Sequence, residues 1–314
     1  MHTHVPRRIL VLGGCGFIGS HVVDRFVAGG HHVRVLDRRQ EVYREPLPGV
    51  EYIYGDFATP ARLAEALHGT EIVVHLVSTT IPKSSNDDPI FDIQSNLVGT
   101  VSCLQQCVAA RVQKIIFLSS GGAVYGNPDH CPISEDSTTQ PLCSYGIVKL
   151  AIEKYLGLYQ SMSGLESVVL RVGNPYGPRQ NPMGGQGLIA AILARIASGQ
   201  PIEIWGDGLV VRDYFYVGDL ANAIYSAAFA DCRFQVYNVG SGVGLSILDI
   251  IGAVKRTLEV EVETRFLPAR SFDVKKIYLD ISRICEDLNW SPSISLGQGI
   301  QLTWNFVQPL RPTA

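Results

Sequence analysis

No apolar run in this sequence approaches the length of a bilayer span, so no transmembrane helix is expected. Arg7-Arg8 ahead of Ile9 to Gly19 imitates a secretion signal, but glycines interrupt the run and His21, Asp24 and Arg25 follow it. No signal peptide is expected. Neither sign of charge dominates: the formal net charge is -3, which leaves no global basic field to attract nucleic acid or an anionic membrane. Any anion site must be built locally, from single arginines. The seven cysteines are odd in number, scattered from Cys15 to Cys285, with no paired CxxC and no His/Cys cluster at metal spacing. They fit reduced thiols in a cytoplasmic protein, and Cys103 and Cys107, one helical turn apart in an apolar stretch, fit core positions. Internal repeats and low-complexity tracts are also missing. What is present is a chain of 314 residues, 46% of them hydrophobic, enough for two lobes and a large core.

The first apolar strand, Ile9 to Leu12, runs into Gly13-Gly14-Cys15-Gly16-Phe17-Ile18-Gly19 and then a helical stretch closed by Gly29-Gly30. The spacing of Gly13, Gly16 and Gly19 suits a tight turn, close approach of a pyrophosphate and packing of the helix on the strand, with the helix amides near Phe17 and Ile18 facing the phosphates. The second strand, His32 to Leu36, ends in Asp37, near the offset at which an acidic side chain reaches the adenosine ribose. Asp37 repels the extra phosphate of NADP, whereas Arg38 and Arg39 behind it can offset that repulsion; NAD is the expected cofactor.

Strands at Glu51 to Tyr54 and Glu71 to Leu76 deliver Asp56 with Phe57, and Val77, to their C-terminal ends, where ligands lie on an open parallel sheet. Asp56 can accept from an adenine amine or simply close a turn. Asn96 sits among apolar neighbours in a long predicted helix, Pro89 to Ala110, and either supports the active-site backbone or is a satisfied core amide. A fifth strand, Lys114 to Ser119, leads into Ser119-Ser120-Gly121-Gly122-Ala123-Val124-Tyr125-Gly126, and a sixth covers Glu166 to Val172. Six strands alternating with helical runs predict an α/β fold with a doubly wound parallel sheet, a Rossmann domain, followed by a smaller C-terminal α/β lobe. The expected boundaries are 1–174 for the first domain, with 212–240 returning to it, and 175–211 plus 241–314 for the lobe. The Asn174 to Arg179 stretch is turn-rich, and Arg212 to Val217 is expected to rejoin the main sheet.

Between the fifth and sixth strands a helix carries Tyr145 and Lys149, four positions apart and therefore on one face, about 6 Å apart along the axis. A free phenol has a pKa of about 10, and populating its phenolate at neutral pH takes roughly 4 kcal/mol. An ammonium and a positively charged nicotinamide can provide it where water is excluded. Such a phenol can take a proton from a sugar hydroxyl while hydride leaves the same carbon.

With Gly13, Gly16, Gly19, Asp37, Gly55-Asp56-Phe57, Asn96, the Ser119 to Gly126 stretch, Tyr145, Lys149, Asn174 to Arg179, Arg212-Asp213-Tyr214, Pro268-Ala269-Arg270 and Leu288 to Pro292 in this order, the chain resembles the extended short-chain dehydrogenase/reductases. Within them it is most similar to the nucleotide-sugar epimerases, nearly end to end. The resemblance implies Tyr145 as acid/base, Lys149 on the nicotinamide ribose and tuning Tyr145, and the glycines with Asp37 on NAD. It also implies Asn174 beside the sugar diphosphate, Arg212 and Arg270 on its phosphates, and a homodimer joined through helices near Asn96 and Tyr145. Two separated arginines suit a diphosphate, although Arg270 next to Asp273 also suits an ion pair.

The family usually carries a serine or threonine where this chain has Gly121; Ser120, Ser119, water or a backbone group must then replace that hydroxyl. An acidic pair typical of sugar-nucleotide dehydratases is replaced here by Gly122 and Ala123, which disfavours dehydration. The expected activity is NAD-dependent 4-epimerisation of a nucleoside-diphosphate hexose, a UDP-sugar first of all. The alternatives are a reductase of a 4-keto-6-deoxysugar nucleotide and a dinucleotide-sensing protein without turnover.

Overall fold

The computed structural model describes residues 5–183, 187–268 and 274–308. Along the first part of the chain come β1 (Arg8–Leu12), α1 (Phe17–Ala28), β2 (His32–Asp37), β3 (Glu51–Tyr54), α2 (Pro60–Leu67), β4 (Ile72–His75), α3 (Pro89–Asp92), a π-helical segment (Ile93–Val98), α4 (Gly99–Ala109), β5 (Lys114–Ser120), α5 (Ser144–Ser163) and β6 (Glu166–Val172). The remainder supplies β7 (Asn174–Tyr176), α6 (Leu188–Ala197), β8 (Ile202–Trp205), β9 (Val211–Tyr216), α7 (Val217–Phe229), β10 (Val236–Val239), β11 (Gly244–Ser246), α8 (Ile247–Leu258), β12 (Thr264–Leu267), α9 (Ser282–Leu288) and α10 (Leu296–Val307).

Strand β1 explains the layering. Its alternate residues Ile9 and Val11 enter one core and Leu10 and Leu12 the other, so both faces of the strand are covered. On the first face lie α1 and α7, with Val22, Phe26, Leu220 and Ile224 buried against the sheet. On the second lie α2, α4 and α5, with Leu63, Leu104, Val148 and Ile152. The seven strands run parallel in the order β10-β6-β5-β4-β1-β2-β3. The order reverses between β1 and β4, which opens a crevice beyond their C-terminal ends.

The second lobe has its own core, in which Ile189, Leu193, Ile204, Ile250, Val254 and Trp304 meet. Capping boxes begin both α8, from Ser246 and Asp249, and α10, from Ser295 and Gln298. Three sequence expectations change here. Strand β9 does not rejoin the main sheet but pairs with β7 and β11 in a separate three-stranded sheet, and α7 with β10 makes the return instead. The turn-rich Asn174 to Arg179 stretch contributes β7, whose backbone β9 supplies with a parallel partner. The helix expected over Pro89 to Ala110 is interrupted by the π-helical segment, so it delivers Asn96 with a different phase from a continuous α-helix.

Several family-like motifs are structural fasteners. Asp213 is buried and accepts from Ser241 N and Oγ, each at 2.6 Å, and from Leu279 N at 3.1 Å, tying β9 to the ends of two other segments. Asp219 accepts from Ser293 Oγ and Ile294 N while its carbonyl accepts from Trp290 Nε1, so the Leu288 to Pro292 stretch docks on the start of α7.

Candidate active site

The glycine turn after β1 stands in the crevice where the strand order reverses. Gly13 has φ +85°, and a side chain there would meet Val77 Cγ2 at 3.3 Å, so Gly13 and Val77 line adjacent strand ends. A Cβ on Gly19 would sit 2.0 Å from the Gly13 carbonyl oxygen, which fixes glycine where α1 packs on the turn. Gly16 differs: the nearest atom to a Cβ there is 3.4 Å away, an ordinary contact, so the protein itself leaves room over it. No side chain caps the N-terminus of α1. The result is a cradle of uncommitted space in front of a helix N-terminus, suited to an anion.

Asp37 ends β2 beside this cradle, accepting from Cys15 N and Arg39 N, each at 3.0 Å. Arg38 lies 3.8 Å from Asp56, which also accepts from Ala58 N and so closes its own turn. Ile18 packs into the core, and Phe17 meets His21 edge to ring. Phe57 does not line the crevice with its side chain: its ring is buried against His75 and Gly99. Asn96 is likewise a support, for its Oδ1 accepts from Thr79 N at 2.9 Å and its Nδ2 donates to Thr80 Oγ1 and Asp92 Oδ1. Its amide holds the backbone after β4, the supporting role that is one of the two readings of its sequence context.

Across the crevice, the first turn of α5 presents Tyr145 and the second presents Lys149. The Ser120 hydroxyl at the end of β5 is the side chain whose influence lowers the pKa of the Tyr145 phenol. Lys149 Nζ lies 5.6 Å from the Tyr145 ring centre and donates to Leu118 O at 2.8 Å. Burial pushes the Lys149 ammonium down to about 8, against the raising influence of Glu153 and Asp92. Burial also pushes the Tyr145 phenol up to about 12; the Ser120 hydroxyl works the other way, and the charges of Cys143 and Asp92 reinforce the rise. In the chain without its cofactor, burial therefore outweighs the influence of Ser120 on this phenol.

Gly121 lacks a side chain for a packing reason. A Cβ there would lie 2.6 Å from Leu279 Cδ1, so a leucine from the C-terminal part of the chain fills the place of the family's usual hydroxyl. Ser120 is the hydroxyl that reaches Tyr145. Ser119 does not face the crevice: it is buried and donates to Glu153 Oε1 at 2.5 Å, which removes it from the substrate-binding set. Glu153 in turn pairs with buried Arg171 at 2.7 Å, and Arg171 donates to Tyr125 at 3.0 Å.

On the lobe side, Asn174 begins β7 opposite Tyr214 of β9, and Arg212 donates to Val211 O and Val274 O at 2.8 and 2.7 Å. Arg270 lies outside the described residues. The loop after β7 is fastened to α1, since Arg179 pairs with Asp24 at 2.7 Å and His21 Nε2 meets Pro178 O at 3.0 Å. This clamp, like the Glu153–Arg171 pair, brings together residues so distant in sequence that no local signal marks them. Among the described residues no cluster of three His, Cys, Asp or Glu could hold a metal, and no helix is long and apolar enough to cross a membrane.

The sequence model of the NAD dependent epimerase/dehydratase family matches residues 9–240. The chain belongs to that family. It is 36% identical over 308 residues to the UDP-glucose 4-epimerase of Mycolicibacterium smegmatis, across 95% of this chain and 98% of that protein. Its fold is similar to a crystal structure of UDP-glucose 4-epimerase with UDP-glucose from the hyperthermophile Thermotoga maritima, with a TM-score of 0.91, 34% identity, and 96% of this chain and 99% of that one covered. A second similar structure is the UDP-glucose 4-epimerase of Thermus thermophilus in complex with NAD, with a TM-score of 0.88, 34% identity and the same coverage.

The cofactor of this epimerase/dehydratase family member is NAD, and the residues present fit it: an open cradle over Gly16, a helix N-terminus for the pyrophosphate and Asp37 at the ribose offset. The two glycines then separate by experiment. Gly16→Ala should unfold at nearly the wild-type temperature yet bind NAD at least about tenfold more weakly, because the added methyl meets only the ligand. Gly19→Ala should lose about 1–3 kcal/mol of stability or more, because its methyl meets backbone. Calorimetric binding and thermal unfolding of the two variants check both; equal effects on stability would refute the assignment of the cradle.

Proposed function

We propose that this chain is an NAD-dependent 4-epimerase of a nucleoside-diphosphate hexose, a UDP-sugar in the first instance. The observation that carries the reading is the convergence of Ser120, Tyr145 and Lys149 across the crevice from the glycine cradle. The nearly full-length similarity to UDP-glucose 4-epimerases supports it. Tyr145 takes the 4-hydroxyl proton, with Ser120 holding the phenol oxygen and the sugar oxygen together. Bound NAD would supply the hydride acceptor and donor and the positive charge that the phenol otherwise lacks. The resulting 4-keto sugar turns about its phosphate linkage and regains hydride on the other face, with Tyr145 returning the proton. Arg212, Arg270 and Asn174 hold the diphosphate, so that tight phosphate contacts coexist with loose sugar contacts.

A cytoplasmic homodimer completes the reading. Ile93 and Val98 of the π-helical segment and Ile147, Leu158 and Met162 of α5 are exposed, where a second copy would cover them. The unpaired thiols suit a reducing compartment.

The test mixes the protein with UDP-glucose, UDP-galactose and their N-acetyl forms, following products by NMR and reduced cofactor by absorbance. Interconversion without net change in cofactor is expected. Stoichiometric oxidation of reduced cofactor on a 4-keto sugar nucleotide would instead make the chain a reductase.

A pH dependence follows from the raised phenol. In protein stripped of NAD, the phenolate signal lost in Tyr145→Phe should be missing below about pH 10. Oxidised NAD brings positive charge beside the phenol and lowers its pKa. By linkage, proton release accompanies binding, and affinity for oxidised NAD rises with pH while the phenol deprotonates in the complex. A phenolate already present at neutral pH without NAD would contradict this.

A further inference from the structure

Asp92, at the end of α3, is a fully buried carboxylate that takes no part in the chemistry described above. Its hydrogen bonds come from three separate segments. Thr80 Oγ1 and Asn96 Nδ2 donate to Oδ1 at 2.6 and 2.9 Å, and Ser144 Oγ donates to Oδ2 at 2.7 Å. Thr80 belongs to the loop after β4, which borders the crevice, and Asn96 holds the neighbouring Thr79 amide of that loop. Ser144 is the first residue of α5, immediately before Tyr145.

The start of α5 has no side-chain cap of its own. Its first amides are taken by the same loop: Asn86 Oδ1 accepts from Ser144 N at 2.9 Å and Ser85 Oγ accepts from Tyr145 N at 3.0 Å. The π-helical segment follows Asp92 directly and brings Asn96 back onto it. Burying a carboxylate is costly unless donors surround it, and here three do. An apolar residue at 92 would leave Thr80, Asn96 and Ser144 without this shared acceptor.

We propose that Asp92 is a positioning residue for the reaction at Tyr145, its carboxylate fastening the first turn of α5 to the crevice loop after β4 so that the phenol and the cofactor site share one rigid frame. The proposal rests on the reading of Tyr145 as acid/base. Its charge has a second effect. The negative field of Asp92 raises both the Tyr145 phenol and the Lys149 ammonium, alongside Cys143 at the phenol and Glu153 at the ammonium. The other neighbour, His75, is buried and pushed down to about 3, by burial first and then by Lys149, and so carries no charge near neutrality.

The test compares Asp92→Asn, Asp92→Ala and Ser144→Ala with the wild type and with Tyr145→Phe, in NAD-loaded full-length protein. Asp92→Ala should lower kcat by about a hundredfold, the scale of a displacement of about 1 Å, while KM for the nucleotide sugar changes little. Ser144→Ala, which removes one fastening and leaves the core intact, should lower kcat by a smaller factor with KM again unchanged. Asp92→Asn can keep the hydrogen-bonded shape without the charge, so it should restore most of kcat and move both limbs of the pH–rate profile to lower pH. Wild-type kcat in Asp92→Ala and Ser144→Ala would overturn the proposal. So would a loss of kcat, KM and thermal stability together with no pH displacement in Asp92→Asn, the pattern of a merely structural residue. Tyr145→Phe separates the two readings: if it alone is inactive, only the role of Asp92 falls, and if it turns over normally, the acid/base reading falls.

Discussion

Tyr145→Phe is expected to lower kcat by about 10²- to 10⁴-fold while leaving the affinity for NAD and nucleotide sugar nearly unchanged. That range corresponds to roughly 3–5 kcal/mol of transition-state stabilisation. The variant removes one hydroxyl and nothing else: the ring keeps its place in the first turn of α5, held through its backbone amide by Ser85. Lys149 also keeps its bond to Leu118 O, which does not involve the phenol. Without the phenol, Ser120 remains in the crevice but is a poor base, because a serine hydroxyl is far less acidic than a phenol and its alkoxide is not populated near neutrality. Single-turnover kinetics with bound NAD check the prediction. A fall in kcat of less than about tenfold would move the proton-transfer role elsewhere.

Arg171→Leu should destabilise the fold by about 3–5 kcal/mol, the cost of leaving one member of a buried ion pair uncompensated. Arg171 and Glu153 are each only 5% exposed. Burial works against the arginine's charge, but the bonds to Glu153 outweigh it and raise its pKa above the ordinary arginine value. The same carboxylate accepts from Ser119 at the end of β5, so the pair pins β5, α5 and β6 together just below the catalytic residues. Replacing both partners, as Glu153→Gln with Arg171→Leu, should recover part of the loss, because no lone charge is then buried. Urea unfolding of Arg171→Leu, Glu153→Gln and the double variant is the measurement. Additive effects of the two substitutions would mean that the pair is not coupled.

How much of this could be read beforehand differs by residue. Gly13, Gly19 and Asp37 were legible because a strand, a tight turn and a helix N-terminus impose their spacing on adjacent residues, and the φ of Gly13 and the crowding at Gly19 are those of such a turn. Tyr145 and Lys149 were legible for the same reason: one helical turn fixes their relation. Phe57, Ser119 and Asn96 sit near strand ends or the helix beside the crevice, where sequence places them correctly along the chain but says nothing of which way their side chains turn. Their buried partners decide that. Asp92 lies one turn before Asn96, a faint local signal whose meaning depends on Ser144, more than fifty residues later.

The sequence by itself determined the fold class, the cofactor cradle and the tyrosine–lysine pair, since each is written in short-range spacing or in the alternation of apolar residues. Only the tertiary structure decided what surrounds them. It set Leu279 over Gly121 and gave Ser120 the phenol. It moved β9 out of the main sheet and gave Asn96 the loop after β4 to hold. It also buried Tyr145 and Lys149 together, which raises the phenol and lowers the ammonium at once, and burial is a property of the whole fold.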